Sequence, residues 1–344
     1  MRRDRSTVEG HSRRNFLRTV SLAMPVVMFP GITSLPHRPD HFVHRTIYAM
    51  GTTVSIQAYG PDIQLLHSAI HNAFSELRRL ESLFSVYRKG SDISRINSVS
   101  GVSEVEVSEE TIDVVRSACH FSSLTGGTFD CTVEPLMRLW GFRQAPVKRT
   151  DTPTEREMQQ TLDAVGYKKI CLDERRKRIG LLKSGAGIDL GGIAVGYSVE
   201  RMAALLRAEG IERALINHSG DIYAIGAPPD TTGWPIGIPS IQNTEEIIFT
   251  TTLKDAAIST SSITDNYFEI HGKRYGHILD PISGSSVDLS RTVSVITQSS
   301  MCADVYSTAL YRGKTLEIGK INGTKFEVIY VDNNGSQRNE TFII

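Results

Sequence analysis

The chain of 344 residues carries 38 basic and 38 acidic side chains, and its sequence pI is near 7.2. Balanced charge gives no overall field that attracts nucleic acid or anionic lipid, so we expect no nucleic-acid partner and only local phosphate binding. The four cysteines lie far apart without a C-x-x-C pair, which argues against a zinc knuckle or a thioredoxin-like redox pair and leaves any disulfide open.

Residues 1–40 have the features of an export segment and linker. Arg13 and Arg14 precede residues 20–32, which carry no charged side chain. This pattern is typical of a twin-arginine export signal, and the apolar stretch is shorter than the roughly 20 residues of a transmembrane helix. We therefore expect export to the periplasm or the outer face of the cytoplasmic membrane. Membrane association through this segment and a disordered basic tail are the alternatives.

Residues 41–344 are expected to form the main folded domain, as one unit or two lobes. Apolar periodicity and glycine, proline and capping signals predict its elements. The predicted helices are 63–83, 109–124, 154–165, 193–209 and a last helix at about 301–311. The predicted strands lie within 46–59, 167–190 and 213–226, and near 236–239, 246–253, 266–271 and 291–297. Strands outnumber crossover helices and several are joined by short turns, which favours an α+β fold with mixed, largely antiparallel sheets and packed helices.

A glycine-lined helix entry lies at residues 188–196, where the sequence reads IDLGGIAVG. A short strand that runs through glycines into a helix offers backbone N–H groups and the positive end of the helix dipole to a phosphate. The segment fits neither the P-loop nor the G-x-G-x-x-G fingerprint. Phosphate binding is one interpretation, and a helix entry merely capped by Asp189 is the other.

A second motif lies in the last predicted helix, where Ser307 and Thr308 follow Asp304 by three and four residues. At this spacing one carboxylate and two hydroxyls share a face of the helix. Oxygen ligands suit a hard cation such as Mg²⁺, which completes its shell with waters and substrate phosphates. A solvated polar face is the alternative interpretation.

His277 follows a predicted strand and precedes a turn that contains Asp280-Pro281. The turn leaves the imidazole near the sheet edge, where it could act as a general base or donate a hydrogen bond to phosphate or flavin. A purely structural histidine is the alternative.

Two further segments are candidates for nucleotide contacts. Residues 125–130 read TGGTFD, whose glycines permit close backbone approach and whose Asp130 could accept from an adenine amino group or ribose hydroxyls. Tyr87 lies in a turn before a short capped helix and could stack on a planar ring, although packing is the simpler interpretation.

Short motifs follow one another in a fixed order along residues 46–312. They are Met50-Gly-Thr, Tyr87 with SxxSRIN, GTFD, LWGF, DLGGIA, Asn217-x-Ser-Gly-Asp221, YGHILDP and Asp304-x-x-x-Thr308. Their order resembles the ApbE-like flavin transferase family. The resemblance implies a T-fold-like α+β fold and a Mg²⁺-dependent reaction. In it FAD is cleaved, FMN becomes phosphoester-linked to a Ser or Thr of an acceptor flavoprotein, such as a redox-complex subunit, and AMP is released.

The resemblance also implies roles for individual residues. The implied metal ligands are the carbonyl of Gly192, Asp304 and Thr308, with Ser307 at a position where some relatives have an acidic ligand. His277 and Asp304 are the implied catalytic residues. The implied FAD contacts are Met50, Tyr87, Thr128, Phe129, Asp130, Asp189, Val195 and Ile278. The family often has lysine where this chain has Val195, and glycine where it has Ser219. The first difference removes a phosphate or ribose contact, so we expect weaker FAD binding.

Two other functions remain open from the sequence alone. A Mg²⁺-dependent FAD pyrophosphatase would use the same metal and pocket, with water in place of the acceptor hydroxyl. A non-catalytic, extracytoplasmic FAD-binding protein would retain flavin without turnover. The predicted hard-metal site argues against this third function, because a carrier needs no such site.

Overall fold

The computed structural model describes residues 40–143, 150–240, 246–262, 267–287, 291–312, 325–332 and 337–343. Of the predicted export segment and linker at residues 1–40, residues 1–39 lie outside the described residues. Within the described ranges, none of the helices has both the length and the apolar character needed to cross a bilayer.

Seven helices form within the described residues, and capping side chains explain where several begin. Asp62 caps α1 by accepting from the backbone N of Gln64 at 2.9 Å, and Ser108 caps α3 by accepting from the backbone N of Thr111 at 3.2 Å. The helices are α1 (Ile63–Phe84), α2 (Asp92–Ser98), α3 (Glu109–Leu124), α4 (Glu134–Leu139), α5 (Glu155–Leu162), α6 (Ala194–Ala208) and α7 (Ser300–Tyr311).

The described strands all pair in antiparallel fashion. They are β1 (His41–Ala49), β2 (Thr52–Gly60), β3 (Glu104–Glu106), β4 (Ile170–Asp173), β5 (Arg178–Leu181), β6 (Arg213–His218), β7 (Asp221–Ile225), β8 (Trp234–Pro239), β9 (Ile247–Leu253), β10 (Ala256–Ser261), β11 (Tyr267–Ile270), β12 (Lys273–Gly276), β13 (Arg291–Thr297), β14 (Lys325–Asp332) and β15 (Gln337–Ile343). The predicted α+β class with largely antiparallel sheets is confirmed.

Eight strands form one large sheet in the order β1-β2-β6-β7-β10-β13-β14-β15. Helices α1, α6 and α7 pack on one face of this sheet. Alternate residues of each strand face these helices, as the buried Val54, Ile56 and Ala58 of β2 do. The opposite face is covered by the β8–β9 hairpin, whose Trp234 and Ile236 pack against strands of the large sheet. Strands β3, β5 and β4 form a small sheet, and β11 pairs with β12.

The structure differs from the sequence-based expectations at several elements. Helix α7 is not the last element, because β14 and β15 follow it and form one edge of the large sheet. Strand β10 is also absent from the prediction, although it lies between β7 and β13. Helix α5 ends at Leu162, three residues before the predicted end.

Candidate active site

Helices α6 and α7 approach closely at Gly196, in the first turn of α6. A Cβ atom at this position would lie 2.5 Å from the carbonyl oxygen of Ser300 and 2.7 Å from the Cβ of Asp304. The missing side chain allows the backbone N–H of Gly196 to donate to Oδ2 of Asp304 at 2.9 Å. The buried Asp304 carboxylate therefore lies at the positive end of α6, where a helix stabilises negative charge.

Thr308 lies one helical turn after Asp304 and faces the glycine-lined entry to α6. A Cβ atom at Gly192 would lie 3.1 Å from Oγ1 of Thr308 and 3.3 Å from Cε2 of Phe129. Phe129 belongs to the GTFD segment, so the structure brings together residues predicted for the metal and for FAD. Since Gly192 has no side chain, its backbone stays accessible beside the threonine hydroxyl.

Ser307 points towards the large sheet. Its hydroxyl lies 3.1 Å from Oγ of Ser259 and 2.8 Å from Oγ of Ser261, both on β10, and it donates to the carbonyl oxygen of Asp304 at 2.9 Å. These partners satisfy the hydroxyl within the protein. Its role as a metal ligand stays a prediction.

A second acidic residue, the first residue of β7, lies near Asp304. Asp221 has a buried oxygen, Oδ1, without a hydrogen-bond partner. Burial raises the pKa of Asp221 to about 7, although a hydrogen bond from Ser259 opposes the shift. Burial, and then the charge of Asp221, raise the pKa of Asp304 well above its usual range. Two enclosed carboxyl groups that disfavour each other's ionisation would be stabilised by a cation. The sequence motif that ends in Asp221 did not predict that Asp221 is a second carboxyl group near Asp304.

Asp189, at the glycine-lined entry, is held in place on both of its oxygens. Oδ1 accepts from the backbone N of Gly191 at 2.8 Å, and Oδ2 forms an ion pair with the guanidinium of Arg143. Arg143 also donates to the hydroxyl of Tyr87 at 2.9 Å. Two predicted FAD contacts, Tyr87 and Asp189, are thereby joined by an arginine that the sequence analysis does not single out. The only local signal for it is its place directly after the LWGF motif.

Asp130 of the GTFD segment has protein partners on both oxygens. Oδ1 accepts from the backbone N and the hydroxyl of Thr132 at 2.8 and 2.6 Å, and Oδ2 accepts from the backbone N of Tyr167 at 2.8 Å. Burial raises the pKa of Asp130 despite these hydrogen bonds. The carboxylate thus ties this segment to residue 167. Thr128 is fixed locally, since its hydroxyl donates to the carbonyl oxygen of Thr125 at 2.9 Å.

Three other predicted FAD contacts lie in separate elements. Met50 occupies the β1–β2 turn with φ of 49°, and its backbone N donates to Oε1 of Glu81 at 2.8 Å. Val195 is half-buried in the first turn of α6. Ile278 packs against the largest apolar cluster, and its carbonyl oxygen accepts from the backbone N of Val287 at 3.0 Å.

His277 is half-buried directly after β12, and the turn that follows it is tied to α7. Oδ2 of Asp280 forms an ion pair with Arg312 at 2.9 Å, and Oδ1 accepts from the backbone N of Ile282 at 2.9 Å. Arg312 ends the helix that carries Asp304 and Thr308. The fold therefore connects the turn of His277 to that helix, and the catalytic role of the imidazole stays a prediction.

Comparisons with known proteins agree with this architecture. The model of the ApbE family matches residues 50–319. An FAD:protein FMN transferase of Vibrio cholerae is 35% identical over 286 residues, which cover 79% of this chain and 82% of the relative. The Escherichia coli K12 protein of the same name is 27% identical over 301 residues, 85% of each chain.

Solved structures give the same result. An ApbE protein of Thermotoga maritima has a TM-score of 0.78 and 30% identity, and covers 87% of this chain and 96% of its own. The flavinyl transferase ApbE of Pseudomonas stutzeri, in its apo form, has a TM-score of 0.73 and 28% identity, with 88% and 95% covered. The fold and these relatives define an α+β enzyme of the transferase class. The chain belongs to the ApbE family.

Proposed function

We propose that this protein is a Mg²⁺-dependent FAD:protein FMN transferase, which cleaves FAD and attaches FMN to a Ser or Thr of an acceptor flavoprotein. Its curated relatives carry the name FAD:protein FMN transferase. The observation that carries the proposal is the buried carboxylate of Asp304. Asp304 lies on α7, one helical turn before Thr308, and its Oδ2 accepts a hydrogen bond from Gly196 in the first turn of α6.

The residues present fit a hard cation. Oδ1 of Asp221 is buried without a hydrogen-bond partner, and burial, followed by the charge of Asp221, raises the pKa of Asp304. Among the described residues no group of three or more His, Cys, Asp and Glu side chains could hold a metal. Such a group is not required, since Mg²⁺ commonly takes one or two carboxylates together with waters and substrate phosphates. Asp304, Thr308 and the carbonyl of Gly192 would hold the ion.

When bound, Mg²⁺ would neutralise charge on the pyrophosphate of FAD. The hydroxyl oxygen of the acceptor Ser or Thr attacks the phosphorus of the FMN half, and a new P–O bond forms. The bond from this phosphorus to the bridging oxygen breaks, and AMP leaves with its electron pair. We assign His277 to accept the proton of the attacking hydroxyl, because an imidazole titrates near neutral pH.

The remaining predicted contacts would hold the two ends of FAD. Tyr87 presents an exposed ring on which a flavin or adenine could stack, and Asp189 presents a fixed carboxylate beside the glycine-lined entry. Positioning of this kind supplies much of the acceleration in phosphoryl transfer, because the protein contributes little covalent chemistry.

We also propose that the protein acts outside the cytoplasm, on a periplasmic or membrane-bound acceptor. This proposal is supported by Arg13 and Arg14 and by the uncharged stretch that follows them. The same segment would provide any membrane association.

Product analysis with and without acceptor tests the reaction. The full chain is incubated with FAD and Mg²⁺, and AMP and free FMN are quantified by chromatography. We expect AMP release to depend on a Ser- or Thr-containing acceptor flavoprotein and to stop when the cation is chelated. Release of AMP and free FMN in equal amounts when no acceptor is present would show a pyrophosphatase instead. Retained FAD without turnover, even with acceptor, would show a binding protein.

A further inference from the structure

Arg143 connects two loops that lie far apart in the sequence. Its Nη1 donates to the hydroxyl of Tyr87 at 2.9 Å, its Nη2 pairs with Oδ2 of Asp189, and its guanidinium carbon lies 5.5 Å from the centre of the Tyr87 ring. The side chain of Arg143 is only 15% exposed and that of Asp189 only 8%. The pair is therefore enclosed, and solvent screens it far less than a surface ion pair.

The second oxygen of Asp189 extends this connection towards the predicted metal side. Oδ1 accepts from the backbone N of Gly191, whose neighbour Gly192 lies against Thr308. Arg143 thus acts through Asp189 on the turn that carries the predicted carbonyl ligand. A planar guanidinium can hold two partners at fixed angles, which an ammonium group cannot.

The exposure of the Tyr87 ring indicates that this arrangement serves a ligand and is more than internal packing. The residue is 66% exposed although its hydroxyl is fixed by Arg143. A tyrosine that only packed would bury its ring, because burial of an aromatic surface is the main gain from such a residue. Here the ring stays open to a planar partner while its orientation is set.

We infer that Arg143 is a positioning residue for FAD. It holds the ring of Tyr87 and the carboxylate of Asp189 in a fixed relation, so that one planar ring and one polar group of the dinucleotide are bound together. This inference rests on the proposed function, because FAD is the ligand that it requires. Loss of the guanidinium leaves the Asp189 charge enclosed without its partner and frees Tyr87 to rotate.

The test compares Arg143→Gln with Arg138→Gln. Arg138 lies five residues earlier, is 46% exposed and pairs with Glu134, so its replacement removes the same charge from the same segment. FAD affinity is measured by fluorescence quenching on the full chain. We expect Arg143→Gln to weaken FAD binding about tenfold, which corresponds to about 1.4 kcal/mol, and Arg138→Gln to leave it unchanged. Arg143→Lys should recover only part of the loss.

Kinetics and a double-mutant cycle separate positioning from a general structural effect. In the acceptor assay, Arg143→Gln should raise the KM for FAD about tenfold with kcat changed less than threefold. The effect of Arg143→Gln on affinity should largely disappear in an Asp189→Asn background, because the two residues act as one unit. Additive effects, or an Arg143→Gln variant that binds FAD like wild type, would overturn the inference while leaving the proposed function intact. Wild-type protein that binds no FAD would instead overturn the proposed function.

Discussion

Replacing Gly196 with alanine tests the close approach of α6 and α7 that places Asp304. The added Cβ would lie 2.5 Å from the carbonyl oxygen of Ser300, 2.7 Å from the Cβ of Asp304 and 2.9 Å from the Cα of Met301. Two of these neighbours are backbone atoms, which cannot rotate away. The helices must therefore separate, and the hydrogen bond from Gly196 to Asp304 must lengthen or break.

The change in the free energy of unfolding caused by Gly196→Ala follows from two opposing contributions. Overpacking a well-packed core costs about 1–3 kcal/mol, and backbone neighbours place this site in the upper part of that range. Alanine is favoured over glycine within a helix by about 1 kcal/mol, which offsets part of the cost. We expect the free energy of unfolding to fall by about 2 kcal/mol, as measured by urea denaturation.

Gly90 provides a matched control, because a Cβ there would have no heavy atom within 4 Å. Gly90→Ala should change stability by less than about 0.5 kcal/mol, the usual range for surface substitutions. Gly196→Ala should also lower Mg²⁺-dependent turnover, since Asp304 shifts with α7. A Gly196→Ala protein with wild-type stability and wild-type metal dependence would refute the account of this contact.

Two further predictions concern His218 and the N-terminal segment. Burial lowers the pKa of His218 from 6.5 to about 4, so the folded state favours the neutral ring. We therefore expect the contribution of His218 to the free energy of unfolding to be fully present above pH 6.5 and to fall by about 3 kcal/mol as the pH drops towards 4. The unfolding free energy of His218→Gln, measured by urea titration, should lack this part of the pH dependence. A variant with the same pH dependence as wild type would contradict its assignment to His218. Replacing Arg13 and Arg14 with lysine should keep the protein in the cytoplasm, as followed by cell fractionation, whereas normal export of that variant would contradict the proposed signal.

The long helices could be predicted because their signals are local. Helix α3 begins and ends at the predicted residues, since Ser108 caps its start and glycines follow its end. Strand β10 could not be predicted in the same way. Its sequence AAISTS places three apolar residues before three small polar ones, and the hydroxyls of the buried Ser259 and the half-buried Ser261 lie within hydrogen-bond distance of Ser307 of α7. Polar residues inside a core have the sequence character of a loop, so only tertiary contacts identify this strand.

Strand β14, which lies next to the edge strand β15, shows a different kind of error. Its alternating Phe326 and Val328 are buried and the pattern is visible in the sequence, but β14 lies beyond the last of the recognised motifs. The pairing of Arg143 with Tyr87 and Asp189 belongs to a third class. These residues lie 56 and 46 positions apart, and no periodicity or spacing rule relates such separations. The order of the motifs therefore predicted the family and the residues that meet around Gly192. The partners of Arg143 could be identified only from the folded structure.

The mass of an acceptor flavoprotein after incubation with the enzyme, FAD and Mg²⁺ tests the central claim most directly. With wild-type enzyme, the acceptor should gain the mass of one FMN less one water on a Ser or Thr. Asp304→Ala should abolish this gain, and Asp113→Ala, which removes an exposed carboxylate on α3, should preserve it. An acceptor that gains the FMN mass equally with Asp304→Ala, or that gains none with wild type, would contradict the account.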